Sequence, residues 1–125
     1  MRNAFALVNY AAALTEFGLL DEALSLMRQS APILTRQGTF WMCLDTIALL
    51  AFKRGRIPDA ALALGRFDAM FVKFNQPRHG PITQRIRDEV LRGLQQALTA
   101  AKLERLLAEG AVLSDEEAVR GALAD

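Results

Sequence analysis

Cys43 and His79, the one thiol and the one imidazole of this chain, are the side chains best suited to nucleophilic or general-base chemistry. A thiol–imidazole pair works only when the imidazole is oriented by a third group and the thiol is drawn toward thiolate. The spacing supplies no such orientation. Cys43 stands in an apolar, helix-forming run, and His79 lies between Arg78 and Gly80 in a segment bounded by Pro77 and Pro81. Cys43 is therefore expected to be a buried packing thiol, and His79 a solvent-facing side chain beside the anion-binding potential of Arg78. One Cys and one His also fall short of the four ligands a zinc site needs. The expectation is a protein without catalytic residues, cofactor or metal.

Two further groupings invite a chemical reading and have a simpler one. Lys53, Arg54 and Arg56 flank Gly55, a density of positive charge that can hold phosphate; the same residues also suit the negative end of a helix dipole, which is the expected role. Glu116 and Glu117 are adjacent, so on a helix they diverge and cannot act as an acid–base pair. Phe67, Phe71 and Phe74 follow helical spacing and belong to a core rather than to a base-stacking platform. No phosphate loop of the Gly-x-x-x-x-Gly-Lys-Ser/Thr kind occurs, and Lys is found only at positions 53, 73 and 102.

The elements that would position these residues are helical. Gly18-Leu19-Leu20-Asp21-Glu22-Ala23 and Gly55-Arg56-Ile57-Pro58-Asp59-Ala60 repeat one pattern 37 positions apart. The Gly ends one helix in a left-handed cap, the apolar residue two places on plugs the turn, and the small Ala admits close packing of the next helix. Helices are predicted at Asn3–Phe17 and from Asp21 onward, with Pro32 ending or kinking the second before Gln37-Gly38. Further helices are predicted at Thr39–Lys53 with Thr39 as N-cap, Pro58–Phe74, Ile82–Leu98 with Arg85/Glu89 and Asp88/Arg92 pairs, and Ala101–Ala108 stopping at Gly110. Ser114-Asp115-Glu116-Glu117 is a capping box opening a last helix to Leu123. Gly65 interrupts a helix at a cost of about 1 kcal/mol relative to Ala, which close approach of another backbone would justify.

The fold class is thus all-α: one domain over residues 1–125, built of hairpins 3–37 and 39–74 and C-terminal helices 82–124. A hydrophobic fraction of 52% with abundant Ala and Leu fits that class, and a net charge of +1 gives no electrostatic invitation to nucleic acid. No run is long enough to span a membrane, the apolar N-terminus reads as a helix rather than a secretion signal, and a lone Cys fits a reducing cytoplasm.

The two hairpins resemble the tetratricopeptide (TPR) repeat, through Leu7, Ala11, Leu14, Gly18, Ala23, Met27 and Ser30 in the first and Leu44, Ala48, Ala51, Gly55, Ala60, Leu64 and Phe67 in the second. The family period is about 34 residues, so the connection here is slightly longer. With Ala63-Leu64-Gly65, a Pro-containing loop, a long helix and Leu107-Ala108-Glu109-Gly110-Ala111-Val112-Leu113-Ser114, the chain is similar to the C-terminal TPR-like region of large bacterial ATP-binding transcriptional regulators of LuxR and SARP type. The resemblance implies a regulatory or scaffolding module that binds a protein or peptide helix.

By the TPR register, a partner-binding groove would be lined by Phe5, Val8, Asn9, Ala12 and Glu16, and by Met42, Asp45, Thr46, Leu49 and Lys53. Asn9 alone matches the set by which chaperone-binding TPR proteins hold a terminal carboxylate, so an amphipathic helix suits this groove better. A helix apolar on two faces also wants neighbours on both sides, which makes Phe5, Val8 and Ala12 a candidate homodimer interface.

Overall fold

The computed structural model describes residues 4–38, 43–73 and 81–124, with side chains described from Ala6 in the first segment and from Thr83 in the third. The described residues form seven helices and no strand: α1 (Ala4–Glu16), α2 (Leu20–Gln37), α3 (Leu44–Lys53), α4 (Ile57–Lys73), α5 (Pro81–Ala97), α6 (Ala100–Ala111) and α7 (Asp115–Ala122). The expected N-cap Thr39, the helix end at Phe74, and Arg78 and His79 lie outside the described residues.

Local chemistry sets both hairpin turns. Gly18 and Gly55 take φ of 82° and 80°, the left-handed region where a Cβ is strained. The N–H of Gly18 bonds the Thr15 carbonyl at 3.1 Å and that of Leu19 the Leu14 carbonyl at 2.9 Å; Gly55 to Phe52 at 3.0 Å and Arg56 to Ala51 at 2.9 Å reproduce the pattern. These are Schellman caps, which satisfy the last carbonyls of α1 and α3 and reverse the chain. Leu20 and Ile57 fold back onto the core as the plugs, and Ala23 and Ala60 are fully buried where the next helix begins. Helix α2 continues through Pro32, whose side chain faces solvent, and ends at Gly38 with φ of 71°.

Side-chain packing then builds outward from α3, in which every residue from Leu44 to Ala51 is buried. Helix α3 packs against α1, α2, α4, α5 and α7, so it is enclosed on all sides. Helix α5 lays Ile86, Val90 and Leu94 against this core, and Phe67 meets Phe71 edge-on at 4.8 Å between ring centroids.

Helix α6 runs to Ala111, past the stop expected at Gly110. It packs chiefly on α4 and only slightly on α5, its neighbour in sequence. Gly65 of α4 lies against the Leu107 backbone of α6, and Gly110 of α6 lies against the Leu62 backbone of α4. The approach expected at Gly65 is therefore present. Gly110, expected to stop the helix, instead sits inside it and is buried, because the missing side chain admits α4.

The capping box at Ser114 is formed in both directions: its N–H bonds Glu117 Oε1 at 3.1 Å and its Oγ accepts from the Glu117 N–H at 3.1 Å. The bond from the Ser114 N–H, with the Ser114 side chain beside it, holds the Glu117 carboxyl below its ordinary value.

Candidate functional site

The TPR-register residues do not form an open groove. Asp45, Thr46 and Leu49 are buried, at 4%, 5% and 0% exposure, and Val8 is buried at 5%. Ala12 is half-buried and Asn9 exposed, while Met42 and the Phe5 side chain lie outside what is described. The remaining two are tied to α5: Glu16 Oε1 meets Arg85 Nη1 at 2.9 Å, and Lys53 Nζ meets Glu89 Oε2 at 3.4 Å. Arg85 and Glu89 thus bond to α1 and α3 instead of to each other, because facing helices present opposite charges. A third tie joins α5 to α4, with Arg87 Nε and Nη2 each 2.8 Å from the two oxygens of Asp68. Helix α5 packs against α3, one of the two helices expected to line the groove.

Buried chemistry at the start of α3 follows from this enclosure. The Cys43 thiol is pushed up to about 12 by burial and then by the Asp45 charge, so it stays protonated and unreactive. Burial also pushes the Asp45 carboxyl up to about 6, against hydrogen bonds from the backbone N–H groups of Thr46 and Asp45 itself. Among the described residues no group of His, Cys, Asp and Glu could hold a metal ion, and no helix is long and apolar enough to cross a membrane.

Two surfaces stand out instead. The first is the outer face of α1, where Ala6, Tyr10, Ala13 and, just beyond the helix, Phe17 are exposed at helical spacing. Tyr10 is 52% exposed, Phe17 83% and neighbouring Leu19 47%. A groove of about 240 Å³ lined by Tyr10, Leu14, Glu22, Ser25 and Leu26 adjoins this stripe between α1 and α2. Val8 and Ala12, assigned from sequence to the dimer interface, point away from it toward the core or its edge.

The second is an arginine cradle. Arg28 of α2 donates from Nε and Nη2 to the Leu123 carbonyl at 3.0 and 2.6 Å. From the α3–α4 turn, Arg54 donates to the Ala122 and Ala124 carbonyls at 3.1 and 2.6 Å, and Arg56 to that of Gly121 at 3.2 Å. The positive turn read from sequence as serving its own helix end serves the C-terminal end of α7. Arg28 carried no sequence signal, since its partner lies 95 residues away.

Comparison with family models, with curated proteins and with solved structures returns no match.

Proposed function

We propose that this chain is a non-catalytic, TPR-like interaction module, serving as the sensor or scaffold part of a bacterial transcriptional-regulator system. One observation carries the reading: the exposed stripe Ala6, Tyr10, Ala13 and Phe17 along α1 and just beyond it. Large exposed apolar side chains in a continuous patch mark a binding surface, and their helical spacing fits an amphipathic helix laid along α1. The paired Schellman turns 37 positions apart support the TPR-like part of the proposal. The test is proximity labelling in the source cell with the wild type and with Tyr10→Glu/Phe17→Glu. Proteins labelled by the wild type and lost in the variant are expected; identical labelling by both chains would defeat the reading.

A second reading takes the partner to be another copy of this chain. It is favoured by the alternation of small and large residues along the stripe, which lets two α1 helices interdigitate about a twofold axis. Sedimentation equilibrium should then show a dimer that Phe17→Glu dissociates without lowering Tm, and a wild type that stays monomeric at high concentration counts against it. Val8→Glu does not serve here, because Val8 belongs to the core and its substitution unfolds the hairpin.

A further inference from the structure

Charge is spread unevenly along this sequence. Between Asn3 and Arg28 it contains the acids Glu16, Asp21 and Glu22 and no Lys, Arg or His, although the chain as a whole has a formal net charge of +1. The fold brings Arg85 of α5 to Glu16 and pairs the two at 2.9 Å. Asp21 and Glu22, both exposed in the first turn of α2, have no ion-pair partner among the described residues. Their carboxylates suit the positive end of the α2 dipole, and their exposure leaves them open to a further cation.

Apolar exposure is concentrated in the same place. Of the five large apolar side chains exposed among the described residues, Tyr10, Phe17 and Leu19 belong to this hairpin. Glu22 joins Tyr10, Leu14, Ser25 and Leu26 in lining the groove of about 240 Å³ between the two helices. One of the unpaired carboxylates therefore stands in the wall of an apolar site. A carboxylate beside exposed aromatic rings attracts a cation twice, through its own charge and through the ring faces. We propose that the occupant of the α1 stripe is a basic amphipathic helix. It lays its apolar face along Ala6, Tyr10, Ala13 and Phe17 and sets Lys or Arg against Glu22 and Asp21. The inference rests on the reading of that stripe as a binding surface and names the chemistry of its partner. The hairpin of a second copy offers no Lys or Arg between Asn3 and Arg28 to meet these acids, so a separate basic partner suits the surface better.

The test uses the full chain and three synthetic helical peptides that share one Leu/Phe face and carry Arg, Gln or Glu on the other, with fluorescence anisotropy as readout. In low salt the Arg-faced peptide is expected to bind at least tenfold tighter than the Gln-faced one, and the Glu-faced peptide weakest. That preference should vanish in about 1 M salt, where the Debye length is about 3 Å. It should also vanish in Asp21→Asn/Glu22→Gln, while Phe17→Ser should weaken binding of all three peptides. The salt series on the wild type reads the charge dependence without any substitution. Equal binding of the three peptides, lost in Phe17→Ser, overturns the basic partner but leaves the stripe a binding surface. Binding of the Arg-faced peptide that is undiminished by Phe17→Ser overturns both, since the acids would then act away from the stripe. Binding of none of the three overturns the inference. So does a wild-type dimer that Phe17→Ser dissociates, which would give the stripe to a second copy.

Discussion

At the scale of single residues, Asp45 places an ionisable group in the core. The residue is 4% exposed, and its pKa rises from 3.8 to about 6 because burial penalises the charge. For an acid, a folded pKa above the unfolded one means that the native state holds its proton more tightly. Stability contributed by this group is thus highest at and below the unfolded value, declines as pH rises from 3.8 toward about 6, and stays low above that. A shift of that size corresponds to about 3 kcal/mol, as an upper figure. Asp45→Asn keeps an acceptor for the Thr46 N–H and removes the charge. Urea unfolding at pH 8 should therefore show the variant more stable by about 1–2 kcal/mol, with the difference shrinking by pH 4. A variant less stable than the wild type at pH 8 would show that the charge is compensated. Glu117 acts in the opposite sense: its depressed pKa gives the start of α7 stability that is present above the usual carboxylate range and fades as pH falls through the lowered value.

At the scale of elements, the reciprocal glycine crossing of α4 and α6 sets the arrangement of the C-terminal half. Gly65→Ala should gain about 1 kcal/mol of helix propensity. It must also place a methyl group into the Leu107 backbone, which cannot rotate away as a side chain can. Overpacking of this kind costs about 1–3 kcal/mol, so the net effect on denaturant unfolding should be destabilising. Gly93→Ala meets first the ring of half-buried Phe52, a side chain that can move, and should cost less; a reversed order would show that α6 can shift on α4. These glycines also show what sequence can carry. The turns at Gly18 and Gly55 were legible because cap, plug and small residue lie within six positions of one another. Gly65 was legible as a close approach, though its partner was not. Gly110 looked like a helix stop because the same residue serves a left-handed cap and a tight crossing; only the presence of Leu62 decides between them. The burial of Asp45, Thr46 and Leu49 was hidden for the same reason, since it depends on helices that pack on α3 from elsewhere in the chain.

At the scale of the whole molecule, stability is distributed around α3 unequally. Helix α4 packs against α3, α5, α6 and α7, whereas α1 and α2 pack on each other and reach the rest of the fold mainly through α3. Polar contacts from Glu16 to Arg85 and from Arg28 to the Leu123 carbonyl add to this. The exposed Glu16–Arg85 pair contributes about 0.2–1 kcal/mol, too little by itself to bind the hairpin into the global cooperative unit. The α1–α2 pair can therefore open while α3, α4 and α6 stay packed, at the cost of uncovering one side of α3. Opening α3 itself requires removing neighbours on every side, so its amides should report global unfolding. Native-state hydrogen exchange across a denaturant series tests this. Amides of Leu44–Ala51 and of the buried positions of α4 should converge on the global free energy, with those of α1 and α2 following a lower isotherm of smaller denaturant dependence. Phe17→Glu, confined to the exposed stripe, should leave both isotherms in place, while Leu14→Ala, which empties a buried site between the helices, should lower the α1–α2 isotherm by about 2–5 kcal/mol if that hairpin opens separately. A single isotherm shared by all helices would instead make the fold one cooperative unit, with the outer hairpin as firmly held as α3.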